Sequence, residues 1–281
     1  MPGGTRNAES PDERLAPVRL AAATHNGVPG MMSPILEPGG RRNHAGKRKE
    51  HRAGAHGSAT SVKEMRISKE LRDKCARAAL GCVEAEVEAV ATRAELDQAL
   101  RACEERIVKL GDPRAILEAP AILATRSGYK ALGKDPARYR GSAEALLRRV
   151  IAGKGLPRIN SVVDVINLVS VESRLPIGLY DLDRVEGAVE FRPGRPGETY
   201  KGIGKYDLNL EGLPLFADAR GAHGSATSDS ERTMVSETTR RVLAVIVSFA
   251  GASGLEQWNQ RLSELLTVHA AGKSIETRLV S

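Results

Sequence analysis

The pattern of apolar and polar positions predicts a helix, a strand and a second helix between residues 68 and 111. From Ser68 onward, apolar residues at i, i+4 and i+7 spacing predict a short helix. Residues 83–89 then alternate apolar side chains with glutamates, which predicts a half-buried strand. Thr92-x-x-Glu95 has the form of a capping box, so an amphipathic helix is expected to begin there and to end at Gly111.

Two more helices are predicted before residue 176. Ser142 is placed to cap a helix whose inner face holds the apolar residues between 146 and 151. Asn160 begins an apolar run over residues 162–169, which fits either a helix or a strand. We favour a helix for this run.

Beyond Pro176 the pattern changes to short alternating runs separated by glycine-rich turns, which predicts strands. A long polar loop over residues 220–233 leads into a continuous apolar run over 241–249, typical of a central strand. Ser253-x-x-Glu256 predicts the start of a C-terminal helix. Helices followed by a mostly antiparallel sheet and a closing helix form an α+β pattern. The four alternating runs cover residues 178–182, 188–192, 206–210 and 213–217.

Composition divides the chain into three predicted regions. The first 60 residues hold nine glycines and six prolines, and nine Lys/Arg against five Asp/Glu. Such a segment buries too little apolar surface to offset its ordering entropy, so residues 1–62 are predicted to be a disordered basic tail. Two interpretations of the tail stay open: a nucleic-acid-binding arm, or a solvated tail ahead of a true start at Met65. Residues 63–252 are expected to form the domain, and 253–281 a C-terminal helix packed on it.

Charge and cysteine content narrow the class of protein. Lys and Arg (42) exceed Asp and Glu (35), giving a formal net charge of +7. Three cysteines without a CxxC spacing exclude a disulfide framework and a zinc ribbon. The longest apolar run is far shorter than the roughly 20 residues of a membrane span, and acidic residues interrupt any signal peptide. We therefore expect a cytoplasmic protein with no membrane partner. The predicted folded region lacks the His/Cys clustering of a metal site, so no metal is expected either.

The densest polar cluster lies in the predicted loop, over residues 223–233. It offers the carboxylates of Asp229 and Glu231, the imidazole of His223 and one guanidinium. A carboxylate such as Glu231 can orient or deprotonate a water while hydroxyls and backbone N–H groups hold a carbonyl oxygen. Two interpretations stay open here: a catalytic loop, or a solvated turn in which Asp229 caps a short helix. The hydroxyls are those of Ser225, Thr227, Ser228, Ser230 and Thr233.

A basic stretch with interleaved tyrosines precedes and enters the helix predicted at Ser142. Charge alone does not decide between a face that contacts phosphates and an ordinary solvated surface. The cations are Lys130, Lys134, Arg138, Arg140, Arg148 and Arg149, with Tyr129 and Tyr139 among them.

Five segments taken together resemble a known family. Residues 126–140 have the sequence Arg-Ser-Gly-Tyr-Lys-Ala-Leu-Gly-Lys-Asp-Pro-Ala-Arg-Tyr-Arg, and residues 227–233 have Thr-Ser-Asp-Ser-Glu-Arg-Thr. Between them lie the segments 142–149, 159–167 and 176–183. In order and spacing they resemble the B3/4 editing domain of the phenylalanyl-tRNA synthetase beta subunit in its free-standing form. The resemblance covers roughly residues 65–250 and implies a mostly antiparallel sheet or sandwich flanked by helices.

This resemblance implies hydrolysis of the ester that joins a wrong amino acid to the terminal ribose of a tRNA. Because such an ester is already reactive, the implied reaction needs no metal and no organic cofactor. The partner would be a mischarged tRNA, carrying canavanine on arginine tRNA or a tyrosine-type residue on phenylalanine tRNA. By position, Glu231 falls near the editing glutamate of the family, with Thr227, Ser230 and Thr233 as accompanying catalytic hydroxyls. The implied substrate-binding residues are Asp229, Asn167, Asp181, Tyr180, His223 and Tyr129. The implied tRNA-binding residues are the six cations of the basic stretch.

One departure from the family pattern bears on the mechanism. The synthetase has Pro-x-His-Ala-Phe-Asp where this chain has residues 176–181, and Gly178 stands in place of that histidine. His223 either returns an imidazole to the site or lies at the surface. A non-catalytic RNA-binding module and an amino-acid-binding sensor are therefore the alternatives to a deacylase. The sequence does not indicate an oligomeric state.

Overall fold

The structure is a computed structural model that describes residues 63–204 and 206–281. The predicted basic tail, residues 1–62, lies outside the described residues. The helices are α1 Lys69–Lys74, α2 Ala94–Lys109, α3 Pro113–Leu117, α4 Pro120–Ala131, α5 Ser142–Ile151, α6 Ser161–Ser173 and α7 Leu255–His269. The strands are β1 Met65–Ile67, β2 Ala79–Glu86, β3 Ile177–Asp181, β4 Val189–Pro193, β5 Thr199–Lys201, β6 Asp207–Asn209, β7 Pro214–Asp218, β8 Gly221–Ser225, β9 Arg241–Ser248 and β10 Lys273–Val280.

The strands form two four-stranded sheets and one hairpin. One sheet has the order β1-β4-β7-β8, the other has the order β10-β2-β9-β3, and β5 pairs with β6. Every pairing between these strands is antiparallel except that of β1 with β4. Helices cover the outer face of the second sheet. The predicted α+β class with a mostly antiparallel core is confirmed.

Strand β9 is the centre of the second sheet, as its apolar run predicted. All six residues from 242 to 247 are fully buried. Val242, Ala244 and Ile246 belong to the apolar cluster beneath the helices. Leu243 and Val245 point the other way, into the cluster shared with the first sheet. A strand paired on both edges and covered on both faces needs apolar residues at every position, which explains the unbroken run.

Two of the predicted helix starts are capped by a side chain. The Ser68 hydroxyl accepts a hydrogen bond from the backbone N–H of Leu71 at 3.2 Å, at the start of α1. The Asn160 side chain accepts from the backbone N–H of Val163 at 3.0 Å, at the start of α6. Both satisfy N–H groups that the first helical turn leaves without a partner. The preference for a helix after Asn160 is confirmed.

The three predicted caps are wrong, and at two of them a tertiary contact uses the side chain. The Thr92 hydroxyl donates to the buried carboxylate of Asp164. The Ser142 hydroxyl accepts from the backbone N–H of Ile177 at 3.3 Å, so it ties α5 to β3. Helix α7 starts after Gly254, whose φ is 79°, instead of after the predicted serine. Capping patterns in a sequence therefore compete with long-range partners for the same hydroxyl.

The structure also contains elements that the sequence pattern missed. The predicted polar loop over 220–233 holds strand β8 and a 3₁₀ turn, Glu231–Thr233. A last strand, β10, follows the C-terminal helix and pairs with β2. Within the described ranges, no helix combines the length and apolar character needed to cross a bilayer.

Candidate active site

A cavity of about 420 Å³ opens between strand β3, helices α5 and α6, and the turn that follows β8. Its apolar lining comes mainly from β3 and α6 and is largely buried. Its cationic lining is more exposed and comes from the segment before α5, from α5 and from the segment after it. We call these five cations, Arg138, Arg140, Arg148, Arg149 and Lys154, the cationic rim. The buried apolar residues are Val163, Ile166, Ile177, Leu179 and Val235.

The local structure explains which side chains reach the cavity. Residues 163, 166 and 167 lie at i, i+3 and i+4 of α6, so they share one helix face. Ile177 and Leu179 share one face of β3, and the residues between them point to the other face. Among the described strands, β3 pairs only with β9, and α5 and the turn after β8 lie next to its other edge.

The turn after β8, residues 225–229, is held rigidly by Ser225. The Ser225 hydroxyl accepts from the backbone N–H groups of Thr227 at 3.3 Å and Ser228 at 3.0 Å. It also donates to the carbonyl of Ser228 at 2.8 Å, and its own backbone N–H donates to Asp229 Oδ1 at 3.3 Å. Thr227, Ser228 and Asp229 all line the cavity. Since two N–H groups of this turn are used internally, they do not serve as oxyanion donors.

Two buried tyrosines, Tyr129 and Tyr200, contact this turn through their hydroxyl groups. Tyr129 Oη lies 2.6 Å from Thr227 Oγ1, and the Tyr200 hydroxyl donates to Ser225 Oγ at 3.2 Å and to the carbonyl of Ser228. Burial raises the pKa of Tyr129, and its hydrogen bond to Thr227 offsets only part of that rise. Tyr129, expected to bind substrate, is off the cavity wall and contacts Thr227 instead. No sequence pattern indicates a role for Tyr200, which lies 25 residues before its partner Ser225 in the chain.

The second half of the Thr-Ser-Asp-Ser-Glu-Arg-Thr motif does not line the cavity. The backbone N–H of Ser230 and the hydroxyl of Thr233 both donate to the carbonyl of His223, each at 3.1 Å. The Glu231 carboxylate forms an ion pair with Lys201 at 3.0 Å and is 38% exposed. The structure therefore separates the predicted catalytic residues Ser230, Glu231 and Thr233 from the cavity wall and leaves Thr227 on it.

Arg232, in the same half of the motif, is part of the scaffold. Its guanidinium donates twice to the carboxylate of Asp218, with both distances 2.9 Å. The Asp218 side chain is 0% exposed. This two-point contact ties the 3₁₀ turn to strand β7, and it explains why an arginine stands here.

His223 lies neither at the surface nor on the cavity wall. Its ring is fully buried in edge contact with Tyr180, with 4.6 Å between the ring centroids. Burial lowers the pKa of His223 to about 4, so the imidazole is neutral at pH 7. Within residues 63–204 and 206–281, neither ring nitrogen has a hydrogen-bond partner. This histidine therefore does not return an imidazole to the site.

Tyr180 fills the space in front of Gly178. A Cβ atom at Gly178 would lie 2.1 Å from the Tyr180 hydroxyl oxygen, and one at Gly224 would lie 2.2 Å from the Tyr180 ring. A histidine at position 178 is therefore incompatible with Tyr180 in this position. Burial, and then the nearby charge of Asp229, raises the pKa of Tyr180 well above its usual value.

Asn167 and Asp181 have different surroundings. Asn167 lines the cavity, and its buried amide nitrogen has no hydrogen-bond partner among the described residues. The Asp181 carboxylate is not part of the cavity wall. It accepts from the Thr239 hydroxyl at 2.8 Å and from the Asp183 backbone N–H at 3.2 Å. Of these two predicted substrate-binding residues, the structure places only Asn167 at the cavity.

The predicted tRNA-binding cations also divide into two groups. Arg138, Arg140, Arg148 and Arg149 belong to the cationic rim, whereas Lys130 and Lys134 do not line the cavity. The Lys134 ammonium lies 5.2 Å from the Tyr139 ring centre, and the Arg138 guanidinium lies 5.6 Å from it. Tyr139 thus holds the start of the rim through cation–π contacts. In the part of the chain that the structure describes, His, Cys, Asp and Glu form no group of three or more suited to a metal ion.

Comparison with known proteins gives one family match and a set of partial relatives. Residues 124–258 match the model of the B3/4 domain. The phenylalanine–tRNA ligase beta subunit of Bartonella henselae is 37% identical over 92 residues, which are 32% of this chain and 11% of the relative. That of Moorella thermoacetica is 29% identical over 143 residues, which are 48% of this chain and 18% of the relative.

The chain thus spans between about a tenth and a fifth of the length of these relatives. An N-terminal fragment of the phenylalanyl-tRNA synthetase beta subunit from Pyrococcus horikoshii superposes with a TM-score of 0.41 at 14% identity. That superposition covers 79% of this chain and 51% of the fragment. The cavity and all the candidate residues described above lie within the matched range 124–258. Just under half of the chain thus matches the B3/4 domain, and the chain is related in sequence to the beta subunit of phenylalanyl-tRNA synthetase.

Proposed function

We propose that this protein is a trans-editing aminoacyl-tRNA deacylase, which hydrolyses the ester between a wrong amino acid and the terminal ribose of a tRNA. One observation carries the proposal: the same cavity combines a buried apolar surface, a cationic rim and a turn that presents Thr227 and Asp229. The three parts match the three parts of the substrate. An amino-acid side chain fits the apolar surface, phosphates fit the rim, and the ester lies near the turn.

Asp229 is the carboxylate best placed to orient the water. Its Oδ1 accepts from the Ser225 backbone N–H, which fixes the carboxylate on the cavity wall. Water oxygen bonds to the ester carbonyl carbon, the carbon–oxygen bond to the ribose breaks, and the ribose oxygen receives a proton. Sequence analysis favoured Glu231 for the water, but the contact of Glu231 with Lys201 points to Asp229 instead.

Thr227 is placed to donate to the carbonyl oxygen. Tyr129 is neutral at pH 7, and burial raises its pKa further, so its hydroxyl can donate to Thr227 Oγ1 at 2.6 Å. The Thr227 hydroxyl hydrogen is then available to the substrate. An oxygen that gains negative charge in the transition state gains most from a donor that is already oriented.

A deacylation panel tests the proposal directly. The full chain is offered arginine tRNA charged with canavanine or with arginine, and phenylalanine tRNA charged with tyrosine, meta-tyrosine or phenylalanine. We expect selective release of one wrong amino acid, with the correctly charged tRNA left intact. Asp229→Asn is the matched control, because it keeps the shape and the acceptor of the turn but removes the charge.

The second candidate is a non-catalytic RNA-binding module. It is favoured by the absence of an imidazole from the cavity wall among the described residues, since His223 is buried behind Tyr180. Binding of uncharged tRNA, together with no ester cleavage anywhere in the panel, would establish it. Tight binding of a free amino acid without tRNA affinity would instead identify an amino-acid sensor.

A further inference from the structure

A single buried glutamate organises part of the cationic rim. Glu144, in the first turn of α5, has a side chain that is 4% exposed. Its carboxylate accepts from Arg126 Nε at 2.9 Å, Arg126 Nη2 at 2.8 Å and Arg148 Nε at 2.8 Å. Arg140 Nε lies 4.0 Å from the same carboxylate. Three guanidiniums from α4, α5 and the segment between them thus converge on one acid.

The cluster carries more positive charge than Glu144 neutralises. Burial alone would raise the pKa of Glu144, but the hydrogen bonds from Arg126 and Arg148 outweigh it and lower the pKa. Glu144 is therefore ionised at pH 7, and one negative charge faces three positive ones. A net surplus of two positive charges beside an open cavity suits an anionic ligand.

The contacts with Glu144 also leave the Nη groups of Arg140 and Arg148 available to such a ligand. Arg148 contacts Glu144 through Nε, and Nε is also the Arg140 atom nearest to the carboxylate. The paired Nη groups, which bind phosphate in a two-point arrangement, are not used by these contacts. Arg140 and Arg148 both line the cavity, whereas Arg126 and Glu144 do not.

We propose that Glu144 is a positioning residue, which holds Arg140 and Arg148 so that together they bind one phosphate group at the cavity mouth. In the deacylase of the preceding section, on which this inference rests, that group is the phosphate of the 3′-terminal nucleotide. Arg126 holds Glu144 from the opposite side by its two-point contact. Fixing the arginines in advance reduces the side-chain entropy lost when the phosphate binds.

A purely electrostatic role for Glu144 makes the opposite prediction. Glu144→Gln raises the net charge of the protein by one, so it would tighten phosphate binding if only charge mattered. If Glu144 positions the arginines, the same change weakens binding, because the neutral amide holds guanidinium groups less firmly. The sign of the effect therefore separates the two roles.

The chain offers a matched control on another face. Glu172, at the end of α6, accepts from Arg106 at 3.0 Å and from Arg261 at 3.4 Å. Like Glu144, it holds two arginines from different elements, but it does not line the cavity. Glu172→Gln changes the net charge by the same amount. It is expected to leave phosphate and tRNA binding within twofold of wild type.

The first arm of the test measures binding without catalysis. Inorganic phosphate and AMP are titrated calorimetrically at low salt into the wild type, Glu144→Gln and Glu172→Gln. We expect Glu144→Gln to bind both about tenfold more weakly than the wild type. Unchanged or tighter binding by Glu144→Gln, equal weakening by Glu172→Gln, or no phosphate binding by the wild type would overturn the inference.

The second arm separates binding from chemistry. With mischarged tRNA, Glu144→Gln is expected to raise KM about tenfold and to leave kcat within twofold. With the same amino acid on adenosine, which has no phosphate, its KM is expected to equal that of the wild type. A wild type that binds phosphate but cleaves no ester would refute the deacylase and keep the phosphate site. If the wild type and Glu144→Gln both cleave mischarged tRNA with the same KM, the deacylase is kept and the phosphate site is refuted.

A second variant covers the case in which Glu144→Gln does not fold. Arg126→Lys keeps the charge and the fold of α4 but removes the two-point contact to Glu144. We expect phosphate binding to weaken about threefold while the melting temperature changes little. Wild-type phosphate affinity in a folded Arg126→Lys protein would count against the positioning role.

Discussion

The two halves of the polar segment 227–233 are equally rich in hydroxyl and carboxyl groups, yet they lie in different surroundings. Residues 227–229 line the cavity, in a turn that Ser225 holds from within. Residues 230–233 face the first sheet and the Lys201 side chain, and they join the turn to strand β7 and to the His223 carbonyl. Density of polar residues therefore does not identify a catalytic group. The partners of each side chain do.

The largest effect on the rate of deacylation is expected from removing the negative charge of Asp229, in the half of the segment that lines the cavity. Asp229→Asn keeps an oxygen that accepts from the Ser225 N–H but cannot act as a base toward water. We expect single-turnover deacylation to fall about a thousandfold. The melting temperature should remain close to that of the wild type. A fall of less than about threefold would place the chemistry elsewhere in the molecule.

In residues 230–233, which do not line the cavity, substitution should lower the free energy of unfolding more than it lowers activity. Arg232→Ala leaves the buried Asp218 carboxylate without its guanidinium partner, and breaking such a pair costs about 3 kcal/mol of unfolding free energy. Urea denaturation of the variant and the wild type measures the difference. The control is Arg220→Ala, because the pair Arg220–Glu186 is exposed and should contribute less than about 1 kcal/mol. Equal losses for the two variants would contradict the scaffold role.

The buried His223 predicts an acid-sensitive stability. Its pKa is about 4 in the folded protein and near the ordinary 6.5 when unfolded, so below pH 6.5 the unfolded chain binds a proton that the folded chain does not. Stability due to this group is complete above pH 6.5 and is lost as the pH falls toward 4. Between pH 7 and pH 5 we expect a loss of about 2 kcal/mol. The charged groups that act on the ring are Asp218, Arg232 and Lys63.

Comparison with two variants isolates this contribution from the carboxylates, which also titrate. His223→Phe keeps a ring against Tyr180 and should remove this part of the pH dependence of unfolding. His269→Gln, in helix α7, should leave that part unchanged. If the wild type and His223→Phe lose the same stability between pH 7 and pH 5, the histidine is not buried in its neutral form.

The fold was predictable where burial is uniform or strictly periodic. Strand β9 is apolar at every position because both its faces are covered, and α6 begins at the asparagine that caps it. Strand β10 was missed because, within the described part of the chain, it pairs on one edge only and stays partly exposed, so its sequence lacks an apolar pattern. The pattern of apolar residues thus indicates which elements are buried, and it does not reveal an edge strand that stays partly exposed.

The site was predictable only in part, because its geometry depends on contacts between distant residues. Composition indicates the polar cluster over residues 223–233, but the role of Tyr200 depends on a contact with Ser225 that no local pattern reveals. No local pattern marks Glu144, because its arginine partners come from α4, from α5 and from the segment between them. Likewise, the sequence shows that residue 178 is glycine, but only the fold shows that Tyr180 occupies the adjacent space.

The smallest effect is expected at Glu231, the residue that sequence analysis favoured most. The Glu231–Lys201 pair is exposed to solvent, so Glu231→Gln should change stability by less than about 1 kcal/mol. Since the carboxylate is off the cavity wall, kcat should stay within threefold of the wild type. The measurement is the same single-turnover assay as for Asp229→Asn. A loss as large as that of Asp229→Asn would mean that Glu231 leaves Lys201 and reaches the ester when tRNA binds, and the division between the two halves of the segment would then hold only for the free protein.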